Sequence, residues 1–176
     1  MAYLLLQNGG RILLQDGSGA ILLQNGGIVA QFFEQALEAK LASISELAAM
    51  VGTSIYTQYV PQTHDIGTNG PAVVYLIPTK PRGHVLMGSD GTATARVQIE
   101  AHSYAYGTSK QIIEAIWNAI DGTPGQWGNG TCVIVSVVQQ DDSDASEKPQ
   151  AGTDQPLFRV IQEYNVKYRV AIPTLS

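Results

Sequence analysis

Between Thr94 and Gly122 the spacing of apolar residues changes once, and that change limits the folds open to the chain. In TARVQIEAH, the residues Ala95, Val97, Ile99 and Ala101 alternate with Thr94, Arg96, Gln98, Glu100 and His102. That is the period of a strand with one covered face. Past Tyr104-Ala105-Tyr106-Gly107, residues Ile112, Ile113, Ile116 and Ile120 recur at steps of three and four, which predicts an amphipathic helix. Thr108 and Gln111 stand at capping-box spacing near the switch, and Gly122 suits the helix end. A strand feeding a helix that folds back over it is the start of a two-layer α+β domain.

The flanking segments extend that plan. Phe33, Leu37 and Leu41 fall four apart, with Glu34, Gln35, Glu38 and Lys40 between them, as in a surface helix. Ser43 and Glu46 form a second capping-box pair, opening a short helix that ends at Gly52. Residues 53–71 read as an extended, turn-rich connection. Residues 72–77 (AVVYLI) make an apolar run of strand length, closed by Pro78 and Pro81. Residues 79–93 read as a loop or hairpin tip. Residues 131–139 (TCVIVSVVQ) are apolar on both sides in the middle, as in a central strand. Phe158, Val160, Tyr164, Val166, Tyr168 and Val170 alternate with polar residues and predict a long closing strand. The expected fold class is α+β: a four-stranded, mainly antiparallel sheet with helices packed on one face, spanning residues 28–176.

Residues 1–27 differ from this plan. LLLQNGG, ILLQDGS and ILLQNGG follow one another, each joining an aliphatic run to Asn-Gly or Asp-Gly. Those dipeptides favour tight hairpin turns, so the repeat predicts a three-rung meander. Strands this short do not support themselves in water, and their uncharged edges invite pairing. Two readings follow. Residues 1–27 form an arm with an N-terminal β-repeat that adds to a neighbouring subunit or partner through Leu4, Leu5, Leu6, Ile12, Leu13, Leu14, Ile21, Leu22 and Leu23. Otherwise they pack back on their own domain as a small sheet. Asp16 is the only acid in the repeat and makes a poor calcium motif.

Charged residues are 14% of the chain, against about 25% in ordinary globular proteins. A surface so poor in charge suits a protein that covers itself with partners. A net charge of −5 without a Lys/Arg cluster argues against groove-type nucleic-acid binding. No apolar run nears the roughly 20 residues that span a bilayer, and the opening residues lack a signal peptide's basic start. This predicts assembly in a cytoplasm without membrane attachment. Cys132 is the single cysteine and lies among valines, as a small buried hydrophobe does. His64, His84 and His102 keep no metal-ligand spacing, and His102 falls on the wet side of its strand. The glycine-rich stretches lack a following Lys-Ser/Thr. No catalytic, cofactor or metal site is expected, and no enzyme.

Residues 140–155 lack periodicity and carry Asp141, Asp142, Asp144, Glu147 and Asp154 against Lys148. They read as a solvated loop. Repeated around a ring, they would instead make a negative rim or lumen that keeps DNA from adhering.

The set Ile55-Tyr56, Pro61-Gln62, PAVVYLI, ARVQIEAHSYAYGTSKQIIEAIWNAIDG and FRVIQEYNVKYRV resembles, over residues 29–171, the small tail-completion (tail-to-head joining) proteins of long-tailed bacteriophages. That family is related in fold to phage tail terminators. The resemblance implies a virion subunit forming a ring, commonly a hexamer, at the top of the tail tube. There it would stop tube growth and offer a surface to the head connector, without catalysis or cofactor. The implied partners are further copies, the tail tube protein and the connector or neck protein, with DNA passing through unbound. Six copies would carry a formal charge of about −30. The N-terminal repeat and the long acidic loop depart from the family pattern. The rival reading is a binding or adhesion module that uses the repeat for attachment.

Overall fold

The computed structural model describes residues 4–7, 11–14, 20–21, 33–86, 88–128, 132–147 and 155–171. The chain divides into two compact units, Met1–Gln31 and Phe32–Ser176. In the first, β1 (Leu4–Gln7), β2 (Arg11–Leu14) and β3 (Ala20–Ile21) pair antiparallel in that order. Leu4 stands opposite Leu14 and Ile12 opposite Ile21, so successive repeats supply the rungs.

The second unit runs α1 (Phe33–Ala42), α2 (Ser45–Val51), β4 (Ile55–Thr57), α3 (Ile66–Asn69), β5 (Ala72–Thr79), β6 (Arg82–Val85), β7 (Gly88–Ser103), α4 (Tyr106–Ile120), β8 (Gly125–Trp127), β9 (Cys132–Glu147) and β10 (Leu157–Arg169). Its strands form one sheet in the order β4-β5-β7-β10-β9-β8, with β6 also on β7. β4 joins β5 parallel and every other pair is antiparallel. β10 enters between β7 and β9, so those two run parallel to each other with α4 in the crossover.

The expected four-stranded sheet is therefore wrong: the sheet is mixed, has seven strands and curls into a half-barrel. β4, β6 and β8 have three or four residues each, too few for a period to show. β7 and β9 each run for 16 residues, and register shifts between Leu76 and Thr79 and on β10 at Glu163/Tyr164 and Lys167/Tyr168 bend the sheet. The first of these shifts accommodates Pro78, which has no N–H to offer a neighbour.

One face of the sheet forms the core. On β7 the inward residues are mostly small (Ala93, Ala95, Ala101), and the residues opposite them on β10 are larger: Tyr168, Val166 and Val160. Ile112, Ile113, Ile116 and Ile120 of α4 are at most 2% exposed, each worth roughly 1.5–3 kcal/mol of burial. α1 adds Phe33, Leu37 and Leu41. The Phe33 ring stacks on Tyr168 at 4.5 Å between centroids and on Trp127 at 6.5 Å. These contacts dock α1 over the end of the sheet where β8 and β10 lie.

The helix starts also differ from expectation. α4 begins at Tyr106 with Ala105 as N-cap and no side-chain cap, so Thr108 already lies inside the helix. Ser103 Oγ instead accepts the Ala105 N–H at 3.1 Å. The cap of α2 is Ile44, while Ser43 Oγ donates back to the Lys40 carbonyl. Neither capping box forms.

Candidate functional site

The first half of the acidic stretch is strand rather than loop: residues 140–147 continue β9, held by pairing with β10. Asp and Ser are poor strand formers, so cross-strand pairing overrides local preference here. Asp142 and Asp144 stand opposite Gln162 and Val160, on the face that carries the helices. α4 reaches them from above. Lys110 Nζ lies 2.6 Å from Asp144 Oδ1 and 3.5 Å from Asp142 Oδ1. Tyr106 Oη donates to Asp144 Oδ2 at 2.7 Å, and Gln162 Nε2 donates to Asp142 Oδ2 at 3.2 Å. The hydrogen bonds from Lys110 and Tyr106 hold the Asp144 carboxyl below its ordinary range, and the same bond to Asp144 raises the Lys110 ammonium. These two aspartates thus fasten helix to strand, an arrangement that the bare sequence did not reveal.

Asp141 lies on the opposite face, across from Glu163. Two carboxylates at directly paired positions repel. Arg96 relieves this by pairing with Glu163 through both Nε and an Nη. Glu147 closes the strand, and Asp154 lies outside the described residues. Of the aliphatic arm residues, Leu4, Leu5 and Leu6 are in β1, Ile12, Leu13 and Leu14 in β2 and Ile21 in β3, whereas Leu22 and Leu23 lie outside the described residues.

A second polar cluster sits at the far end of β7 on the face away from the helices. Glu100 is 8% exposed and His102 9%. His102 Nε2 is 3.0 Å from Glu100 Oε2, Gln98 Nε2 donates to Glu100 Oε1 at 2.8 Å, and Arg159 Nε lies 3.7 Å from Glu100 Oε2. Hydrogen bonding from His102 and the charge of Arg159 hold the Glu100 carboxyl below its usual range despite burial. His102 is thus buried rather than on a wet strand face as the alternation suggested. His64 bridges Tyr56 Oη and the Gly70 carbonyl, both at 3.1 Å, which ties β4 to the end of α3. Cys132 is buried, and burial pushes its thiol up, away from the reactive thiolate. No group of three or more His, Cys, Asp or Glu suited to a metal occurs among the described residues.

What the geometry offers is surface. β9 presents carboxylates along one margin of the sheet, and Val85 and Leu86 at the β6–β7 tip are 56% and 102% exposed. Val138 on β9 is 50% exposed. Such a molecule can pair, dock and repel; it shows no constellation for bond-breaking among the described residues.

A family model described as Tail completion protein gp17 matches residues 35–169, from within α1 to the end of β10. Among solved structures, a chain from the virion of a native gene transfer agent particle is similar with a TM-score of 0.59. It is 18% identical, and the match covers 81% of this chain and 98% of that one. At that identity the likeness concerns the fold. Comparison with curated proteins finds no match.

Proposed function

Because the chain belongs to the tail completion protein gp17 family, we propose that it forms a ring at the head-proximal end of a phage tail, ending the tail tube and joining it to the head connector. Membership makes it a structural protein of the bacteriophage virion, with a part in tail completion. The observation that carries the finer reading is the span of the family match, which takes in all but the first two residues of α1 and every later element of the second unit. The ring is made of copies of this chain, six in number, and its other partners are the tail tube protein and the connector or neck protein. It assembles in the host cytoplasm and then resides in the tail or neck of the virion.

Physical features support this reading. A chain with few charges, and a β9 that runs well past the short β8 at the sheet margin, favour lateral packing of copies. Asp141, Asp142, Asp144, Glu147 and Asp154, repeated around a closed ring, give a negative rim along which DNA passes without specific binding. Residues 1–27 serve as an arm whose short strands add to a neighbour, through the aliphatic residues of β1, β2 and β3 and Leu22-Leu23. The ring acts by shape and charge, with no catalysis and no cofactor.

The test is a phage from which this gene has been deleted. Tails of uncontrolled length and full heads without tails are the expected products, restored by supplying the protein in trans. Normal-length tails joined to heads in its absence would overturn the proposal.

A further inference from the structure

We infer that neighbouring copies join by strand addition, β6 of one copy pairing along the outer edge of β9 of the next; this rests on the ring reading above. The edge of β9 is covered only at its start. β8 pairs with Cys132, Val133 and Ile134. The turn after α4 then serves two more positions: Gly122 N–H donates to the Val137 carbonyl at 3.1 Å, and Gln139 N–H donates to Asp121 Oδ1 at 2.9 Å. From Asp141 to Glu147, no described residue outside β10 hydrogen-bonds the β9 backbone. Among the described residues that leaves roughly 20 Å of strand edge with backbone donors and acceptors available. β6 is the matching piece. It pairs with β7 alone, at the opposite margin of the sheet, and its other edge is likewise unpaired among the described residues.

Charge selects which edges meet. The β9 edge carries Asp141, with Asp142 and Asp144 already held by Lys110, whereas β6 carries Arg82 and no acid. Pairing β9 with a second β9 would set carboxylates against carboxylates, and pairing β6 with β6 would bring two Arg82 guanidinium groups together. Both self-pairings are disfavoured, while the mixed one joins opposite charges. A mixed contact is heterologous, the kind that rotation closes into a ring. It would also bring the exposed Val85 side chain of β6 against the neighbouring copy.

The experiment uses the full-length chain. Arg82→Glu, Asp141→Arg and the double variant are compared with the wild type by sedimentation and light scattering, with and without purified tail tubes. Asp141 is chosen over Asp142 and Asp144 because those two hold Lys110 in their own chain. Each single variant is expected to weaken self-association by about tenfold or more at low salt, and the double variant to regain most of it. Thermal melts of each variant run alongside, and Arg82→Ala gives a milder second probe with the same direction of effect. Single variants that associate like the wild type, or a double variant that stays as weak as the singles, would remove this interface while leaving a ring intact. A wild type that never associates, even on tail tubes, would instead remove the ring itself.

Discussion

Glu100 is a carboxylate in a strand, shielded by paired neighbours Val74 and Ile161 and satisfied by Gln98, His102 and Arg159. Burial alone would favour its neutral form, but the hydrogen bond from His102 and the Arg159 charge win, so its pKa is lowered on folding. A lowered carboxyl pKa adds stability above the unfolded value, and that stability is lost as pH falls through the folded value. Glu100→Gln keeps the shape and removes the charge, leaving Arg159 beside a neutral amide. The expected cost at pH 7 is about 1–3 kcal/mol. The gap from wild type should close as the pH drops below the carboxylate's ordinary 4.5. Urea unfolding at pH 7 and at pH 3.5 measures both, and an equal gap at the two values would refute the assignment. The alternation of β7 put Glu100 and His102 on the face away from the core, and they do lie there. Their burial was not legible, because it comes from curvature and from Val74 and Ile161, which are distant in the chain. The tie of Lys110 and Tyr106 to Asp144 was hidden for a similar reason: the residues are more than thirty positions apart, and nothing local marks them as partners.

α4 illustrates how unevenly one helix distributes its importance. Ile116 is 0% exposed against the sheet, whereas its neighbour Trp117 is 37% exposed. Ile116→Ala should cost about 2–5 kcal/mol through lost burial and a residual cavity. Trp117→Ala should cost under about 1 kcal/mol in the same thermal melts, because much of that ring is already in water. Equal losses at the two positions would mean that α4 is not seated as described. This helix and β7 were readable because fifteen or more residues carry a clean period. Its N-cap was misplaced by three residues, Ala105 standing where Thr108 was expected, since Ser103 satisfies the chain just before the helix while Thr108 caps nothing. The second half of β9 could not be read as a strand at all. Gln140 to Glu147 offer no apolar alternation, and the extended form of Asp141 to Glu147 is imposed by Leu157 to Glu163 across the ladder. The short strands β4, β6 and β8 were missed for want of length, and with them the seven-stranded sheet.

The two units of the whole molecule raise a different question: which contributes stability and which contributes attachment. Every member of the described core lies between Phe33 and Tyr168. β1, β2 and β3 have four, four and two residues, too little for a sheet that stands by itself in water. Deleting residues 2–27 should therefore shift the thermal midpoint by no more than about 4 °C, the size of a 1 kcal/mol change in a domain of this length. If the arm adds to a neighbour, the same deletion should lower the assembled mass or abolish co-sedimentation with tail tubes. The two measurements separate the two readings of the repeat. A large fall in melting temperature with assembly retained would mean that the repeat packs on its own domain. Unchanged melting with unchanged assembly and tube binding would leave the arm without the role proposed for it. Lost assembly at constant melting temperature is the expected result, because aliphatic strands with almost no charge along them gain most by pairing with an edge supplied by another chain.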